Sequence, residues 1–126
     1  MDKMNLLYDL LIDSVPVGPN GPKGLLRMHW ASRQKYNKDW AWFIRSALGS
    51  THPRIPVPER VQVHIMQGRK RLMDTDNLVA SCKPILDGLR DWALITNDDP
   101  SHCMLEVEQV KSKQVYTRIR VYELVE

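Results

Sequence analysis

Apolar residues recur along these 126 residues at two different spacings, which predicts an α/β chain of the α+β kind. The expected architecture is a two-layer sandwich with a mixed four-stranded sheet, in the order β-α-β-α-β-β. Three observations carry this expectation. Val61, Val63 and Ile65 alternate with Gln62, His64 and Met66; Tyr36, Trp40, Phe43, Ile44 and Ala47 keep helical spacing; and two apolar runs, 104–110 and 115–124, close the chain. A chain of this length can bury one real core and is too short for two ordinary ones, so residues 1–126 are expected to form a single domain. Apolar residues make up 43% and charged residues 26%, values of a globular protein and not of a disordered one.

Taken in order, Leu6 to Ile12 is a β-permissive run ended by Asp13, Ser14 and Pro16, and reads as the first strand. Val15 to Lys23 holds Pro16, Gly18, Pro19, Asn20, Gly21 and Pro22 and reads as an exposed loop. An amphipathic helix is expected from about Ser32, with Gly49 just past its end. Its other face carries Arg33, Lys35, Lys38 and Arg45. The alternating run at 61–66 is the second strand and leads straight into Arg69-Lys70-Arg71. Beyond Asn77, the residues Leu78, Cys82, Ile85, Leu86 and Leu89 fall on one helical stripe, leaving Lys83, Asp87 and Arg90 to another face. Pro84 lies too far inside that helix for its first turn and predicts a kink, because it has no N–H and crowds the carbonyl of Ala80. The two closing runs are expected to pair as a hairpin.

Composition excludes several classes. No apolar run reaches the roughly 20 residues needed to span a bilayer, and Asp2, Lys3 and Asp9 interrupt any signal-peptide core, so the expected location is cytoplasmic with no membrane partner. Cys82 and Cys103 lack CxxC spacing and read as reduced, buried thiols, not zinc ligands. Trp30, Trp40, Trp42 and Trp92 read chiefly as core residues. The net charge of +3 hides an asymmetry: residues 1–73 hold 12 Lys/Arg against 5 Asp/Glu, and residues 74–126 hold 6 against 10. A basic half joined to an acidic half fits a phosphate-gripping surface beside a metal centre, although Glu106, Glu108, Lys111 and Lys113 read as ordinary strand and turn decoration.

Asp74-Thr75-Asp76-Asn77-Leu78 carries most of the functional information. One of these acids is explained as a helix N-cap. A second carboxylate two residues away repels the first unless a cation or proton lies between them. Asn97-Asp98-Asp99-Pro100 adds another acidic pair, which alone would read as a turn. Hard divalent cations take oxygen ligands and keep several waters, and basic residues immediately upstream suit a metal that meets a polyanion. Mg²⁺ held there, with Mn²⁺ as a substitute, would activate water and stabilise charge in phosphodiester hydrolysis. Lys83, or a residue of Arg69 to Arg71, would neutralise the phosphate; the plainer role for Lys83 is an i, i+4 pair with Asp87.

The whole arrangement, Asp74-x-Asp76-Asn77-Leu78, then Lys83-x-x-x-Asp87-x-Leu89, then Asp98-Asp99, resembles the RusA family of Holliday junction resolvases. The likeness covers about residues 60–125, and 20–23 through His29-Trp30 resembles phage-type members. It implies a homodimeric, magnesium-dependent endodeoxyribonuclease that resolves four-way DNA junctions by paired nicks in recombination and repair. By that resemblance Asp74, Asp76 and Asp99 are the catalytic, metal-binding carboxylates, Asp98 is a supporting neighbour, and Lys83 is the family's helical lysine. Lys23, Arg27, Arg33, Lys35, Lys38, Arg69, Lys70 and Arg71 are the expected DNA contacts. Two alternatives share these residues: a metal-dependent nuclease or phosphohydrolase with another substrate, and a non-catalytic basic DNA-binding module. Geometry adds a constraint. A helix from Asp76 to Asp91 rises roughly 24 Å, so Asp99 returns only through a nearly extended link at about 3.3 Å per residue, a helix kinked at Pro84, or a two-fold partner.

Overall fold

The computed structural model describes residues 3–19, 24 and 28–125. Along them run β1 (Lys3–Ile12), α1 (Trp30–Leu48), β2 (Val61–Arg69), α2 (Thr75–Ser81), α3 (Lys83–Asp91), β3 (Cys103–Lys111) and β4 (Tyr116–Val125). The α+β class and the order of elements agree with the sequence pattern. The strands form one mixed sheet in the order β1-β4-β2-β3, with β3 parallel to β2 and β4 antiparallel to both β1 and β2.

The closing hairpin expected from the sequence does not form. β3 and β4 flank β2 on opposite sides, so they never pair. Alternation marks a segment as a strand and says which face it buries, but not which edge it pairs with. Here β2, the helices and β3 make a strand–helix–strand crossover, the usual link between parallel neighbours. β4 then fills the place between β1 and β2.

One sheet face meets the helices. Tyr8, Leu10 and Ile12 of β1, Val61, Val63 and Ile65 of β2, and Ile119 and Val121 of β4 pack with Trp40, Ile44 and Leu48 of α1 and with Ile85, Leu86 and Leu89 of α3. The apolar stripe read from the sequence is buried throughout, from Leu78 to Leu89. α1 and α3 approach closely at Gly88, where a Cβ would lie 3.3 Å from Ala41 Cα and 2.6 Å from Ile44 Cδ1. The other face carries polar rows: Arg118 donates to both Asp9 carboxylate oxygens at 2.9 and 2.8 Å, and His64 Nε2 lies 2.7 Å from Glu108.

Three expectations need adjustment. The loop after β1 is not exposed where it is described, since Pro16 is buried and Val15, Val17, Gly18 and Pro19 are half-buried, and residues 20–23 lie outside the described residues. The kink at Pro84 is a full break: α2 ends at Ser81, Cys82 serves both helices as a cap, and Pro84 falls in the first turn of α3, where its missing N–H costs nothing. The tryptophans divide. Trp40 is buried and Trp92 is half-buried with its indole N–H donating to the Ala41 carbonyl at 2.7 Å, whereas Trp30 and Trp42 are 66% and 61% exposed. Trp42 shares the solvent side of α1 with Lys35, Lys38 and Arg45, positions three or four residues apart. Both cysteines are free and buried, as expected. No helix among the described residues is long and apolar enough to cross a membrane.

α3 closes with a turn that reverses the chain. Leu94 N–H donates to the Leu89 carbonyl at 2.9 Å and Ala93 N–H to the Arg90 carbonyl at 3.0 Å, the paired bonds of a Schellman motif. Ala93 occupies its left-handed position at φ 58°, a place that costs a residue with a Cβ on the order of 1 kcal/mol. Ala93→Gly is therefore expected to stabilise the protein by about 0.5–1 kcal/mol, read as a higher midpoint in urea unfolding with an unchanged slope.

Candidate functional site

Past the end of β2 the chain turns outward through Lys70 and Arg71, both exposed, and reaches Met73. A single side chain fixes it there. Gln109 of β3 accepts from Met73 N–H at 3.0 Å and donates to the Met73 carbonyl at 2.7 Å, so one amide pairs both backbone groups as a neighbouring strand would. On the other side Met73 packs into the space left by Gly18, where a Cβ would sit 2.5 Å from its terminal methyl. The acidic turn that follows is thus anchored to β3 and to the Pro/Gly loop.

Asp74 occupies the N-cap position of α2 with an extended backbone but makes no side-chain cap bond, and Asp76 lies in the first turn. Both are exposed, and neither carboxylate has a partner among the described residues. The plain N-cap explanation of Asp74 therefore fails on its geometry. α2 presents its N-terminus, with its partial positive charge, to this pair.

The second acidic pair is already engaged. Lys83 Nζ bridges Asp98 at 2.7 Å and Asp87 at 3.1 Å, and Arg90 stands 3.5 Å from Asp87 and 3.8 Å from Asp98. The break at Cys82, the short α3 and the turn at Ala93 together bring Asp98 back to Lys83 within one chain. Hydrogen bonding to Asp98 and then to Asp87 raises the Lys83 pKa, so this amine stays protonated. The same bond lowers the pKa of Asp98. Lys83 thus makes the expected i, i+4 pair and adds a second carboxylate that the sequence did not announce.

Asp99 faces its own turn. One carboxylate oxygen accepts from the Ser101 backbone N–H and hydroxyl, from His102 N–H at 3.1 Å, and lies 2.8 Å from His102 Nδ1. These donors, Ser101 first, pull its pKa from 3.8 down to about 2. Among the described residues no three His, Cys, Asp or Glu side chains converge so that they could hold one metal ion. Asp74, Asp76 and Asp99 therefore do not form a ready three-carboxylate cage. The donor chemistry nevertheless fits a hard cation, because Mg²⁺ commonly takes one or two carboxylates and completes its shell with water and substrate phosphate.

The expected DNA contacts also divide. Lys23 and Arg27 lie outside the described residues. Lys38 is exposed on α1, Arg33 is half-buried there, and Lys35 pairs with Asp39 at 3.0 Å. Arg69 is turned inward, contrary to its place in the basic run. It donates to the Pro16 carbonyl at 2.9 Å and to Gln67 at 2.7 Å, and burial lowers its pKa. The period of β2 carried this signal, since Gln67 and Arg69 continue the inward series of Val61, Val63 and Ile65, Gln67 buried and Arg69 half-buried. Gln109 had no such signal, because its partner at Met73 is 36 residues away.

No protein-family model matches this chain, and no curated protein matches it.

Two outcomes follow. Gln109→Leu leaves Met73 without partners for two backbone groups, and is expected to cost roughly 1–2 kcal/mol and to speed amide hydrogen exchange at Met73 in preference to the core of β2. The Asp99 carboxyl is harder to protonate folded, at about 2, than at its ordinary 3.8. Its contribution is complete above about pH 4 and is lost as pH falls toward 2. Between those limits Asp99→Asn is expected to show a flatter decline of stability with acid than the wild type, and equal slopes would rule the turn out as the cause.

Proposed function

We propose that this chain is a Mg²⁺-dependent endodeoxyribonuclease acting on branched DNA, with four-way junctions as its substrate, in line with its resemblance to the RusA-type resolvases. The observation that carries the reading is the anchored, exposed pair Asp74 and Asp76, without a side-chain partner among the described residues and directly downstream of exposed Lys70 and Arg71. These two carboxylates follow closely on the lysine and arginine that would draw in a phosphate backbone.

Asp74 and Asp76 are the residues that would hold Mg²⁺, with Mn²⁺ as a substitute, and the bound ion would supply Lewis acidity toward water and the scissile phosphate. The remaining roles belong to the chain itself. Lys83, kept protonated by Asp98 and Asp87, is a fixed cation and not a proton acceptor. It therefore fits neutralisation of phosphate charge. Lys70 and Arg71 attract and orient the backbone. Asp98 positions Lys83, and Asp99 holds the turn that delivers Asp98. A homodimer would offer two such sites to the two symmetry-related strands of a junction, and a cytoplasmic setting goes with chromosomal or phage DNA as substrate.

A second reading, a basic DNA-binding module without catalysis, draws on the engagement of Asp98 and Asp99 in their own hydrogen bonds. Cleavage of a labelled four-way junction and of linear duplex, with Mg²⁺ and with EDTA, separates the two. The nuclease reading expects paired nicks in the junction, lost in EDTA and reduced at least about a hundredfold in Asp74→Asn and in Asp76→Asn, a loss of roughly 2.7 kcal/mol in barrier lowering. Junction binding with no cleavage under either ion would leave the binding module.

A further inference from the structure

The crossing of β2 by the chain creates a basic cradle at the end of that strand. Because β4 pairs on the far side of β2 from β3, the link at 112–115 has to pass over the end of β2. It is pinned there by Ser112 N–H, which donates to the Arg69 carbonyl at 2.8 Å. This brings Lys111 and Lys113 beside Lys70, more than 40 positions earlier in the chain. The three lysines and Ser112 line a groove of about 520 Å³ with no acidic residue in its wall. All three lysines are exposed and have no carboxylate partner among the described residues. That sets them apart from Arg118 and Arg120 of β4, which are matched to Asp9.

We infer that Lys70, Lys111 and Lys113 form a phosphate-binding cradle for the sugar–phosphate backbone of DNA, with Lys111 and Lys113 as contacts additional to those of the basic run. Three unpaired ammonium groups around one groove repel each other and are relieved by a polyanion that releases its counterions on binding. Lysine acts as a point charge on a flexible stem, suited to backbone contact and not to base readout. The cradle is also continuous with the acidic turn. Lys111 follows Gln109 by two on β3 and so shares its sheet face, and Gln109 holds Met73 next to Asp74. A strand lying in the cradle is thereby led toward the proposed cleavage site. The choice of DNA as ligand rests on the function proposed above.

The test is equilibrium binding of a labelled four-way junction and a linear duplex in EDTA across salt concentrations, for the wild type, Lys111→Ala/Lys113→Ala and Lys111→Arg/Lys113→Arg. Loss of two phosphate contacts is expected to lower the slope of log K against log salt by about 1.8 and to weaken binding at 50 mM salt by at least about tenfold, on both DNAs alike. The arginine variant is expected to restore both quantities. Because the side chains are exposed, an unchanged melting temperature will show that the alanine variant is folded. An unchanged slope and affinity in that variant overturn the cradle even if the protein cleaves junctions. Loss of binding in a protein that never cleaves with Mg²⁺ upholds the cradle and removes the nuclease reading. Binding to phosphatidylserine vesicles that depends on these lysines, with DNA binding unaffected by them, also overturns the assignment to DNA.

Discussion

Everything around the candidate site depends on β2 being paired along both edges. Val61 to Gly68 meet β4 on one side while Val61 to Arg69 meet β3 on the other, so β2 has no free ladder groups and its inward side chains are sealed against the helices. A strand in that position tolerates little change of register, because a one-residue slip would turn Val61, Val63 and Ile65 outward. The end of β2 is accordingly a fixed point. The basic run, the Met73 anchor and the 112–115 link are all placed relative to it.

The last inward positions of β2 are polar, and they tie the sheet to the helix break. Gln67 is fully buried, and its amide donates to Ser81 Oγ at 3.1 Å and toward Cys82 Sγ at 3.5 Å, while its carbonyl accepts from Arg69. Ser81 in turn donates to the Leu78 carbonyl at 2.6 Å. Buried polar groups hold their place only when each finds a partner. Here the partners of the Gln67 amide and of Arg69 Nη1 come from the α2–α3 junction and from the Pro16 carbonyl of the loop after β1, while Arg69 Nε is buried without a partner among the described residues. Burial pushes the Cys82 thiol up to about 11, so the sulfur is a packed, neutral member of this cluster and not a nucleophile. Tyr36 extends the same region into α1, its hydroxyl accepting from Val17 N–H at 2.8 Å.

The elements were legible in the sequence and their connections were not. Both helical stripes, the alternating run at 61–66, the interruption at Pro84 and the burial of both cysteines follow from local spacing and local sterics, which a linear reading contains. The partner of β4 does not, because it is decided by competition among edges far apart in the chain. The return of Asp98 to Lys83 depends on a left-handed residue at Ala93, where no glycine marks the turn. Exposure of Trp42 was readable in part, since it falls off the stripe formed by Tyr36, Trp40 and Ile44. Among the expected site residues, the sequence allowed one of Asp74 and Asp76 to be an ordinary cap, and Asp74 holds the N-cap position without making the side-chain bond of one. It added the Asp98-Asp99 pair as further oxygen ligands and gave Asp99 its catalytic role by resemblance, and the hydrogen bonds of Asp99 run to Ser101 and His102.

The sheet order leaves β1 and β3 as its two edges, and each is made a poor template for another strand. Along β3, Glu106, Glu108 and Lys111 are exposed, and the Gln109 amide draws the Met73 segment across the strand near its end. Along β1 the register shifts between Leu6 and Tyr8, a bulge that twists the edge out of line. Charges, a crossing segment and a bulge are the devices by which open sheets escape edge-to-edge polymerisation. The glutamine that steadies the acidic turn therefore also helps keep the protein from aggregating, and its loss would be felt in solubility as well as at the site.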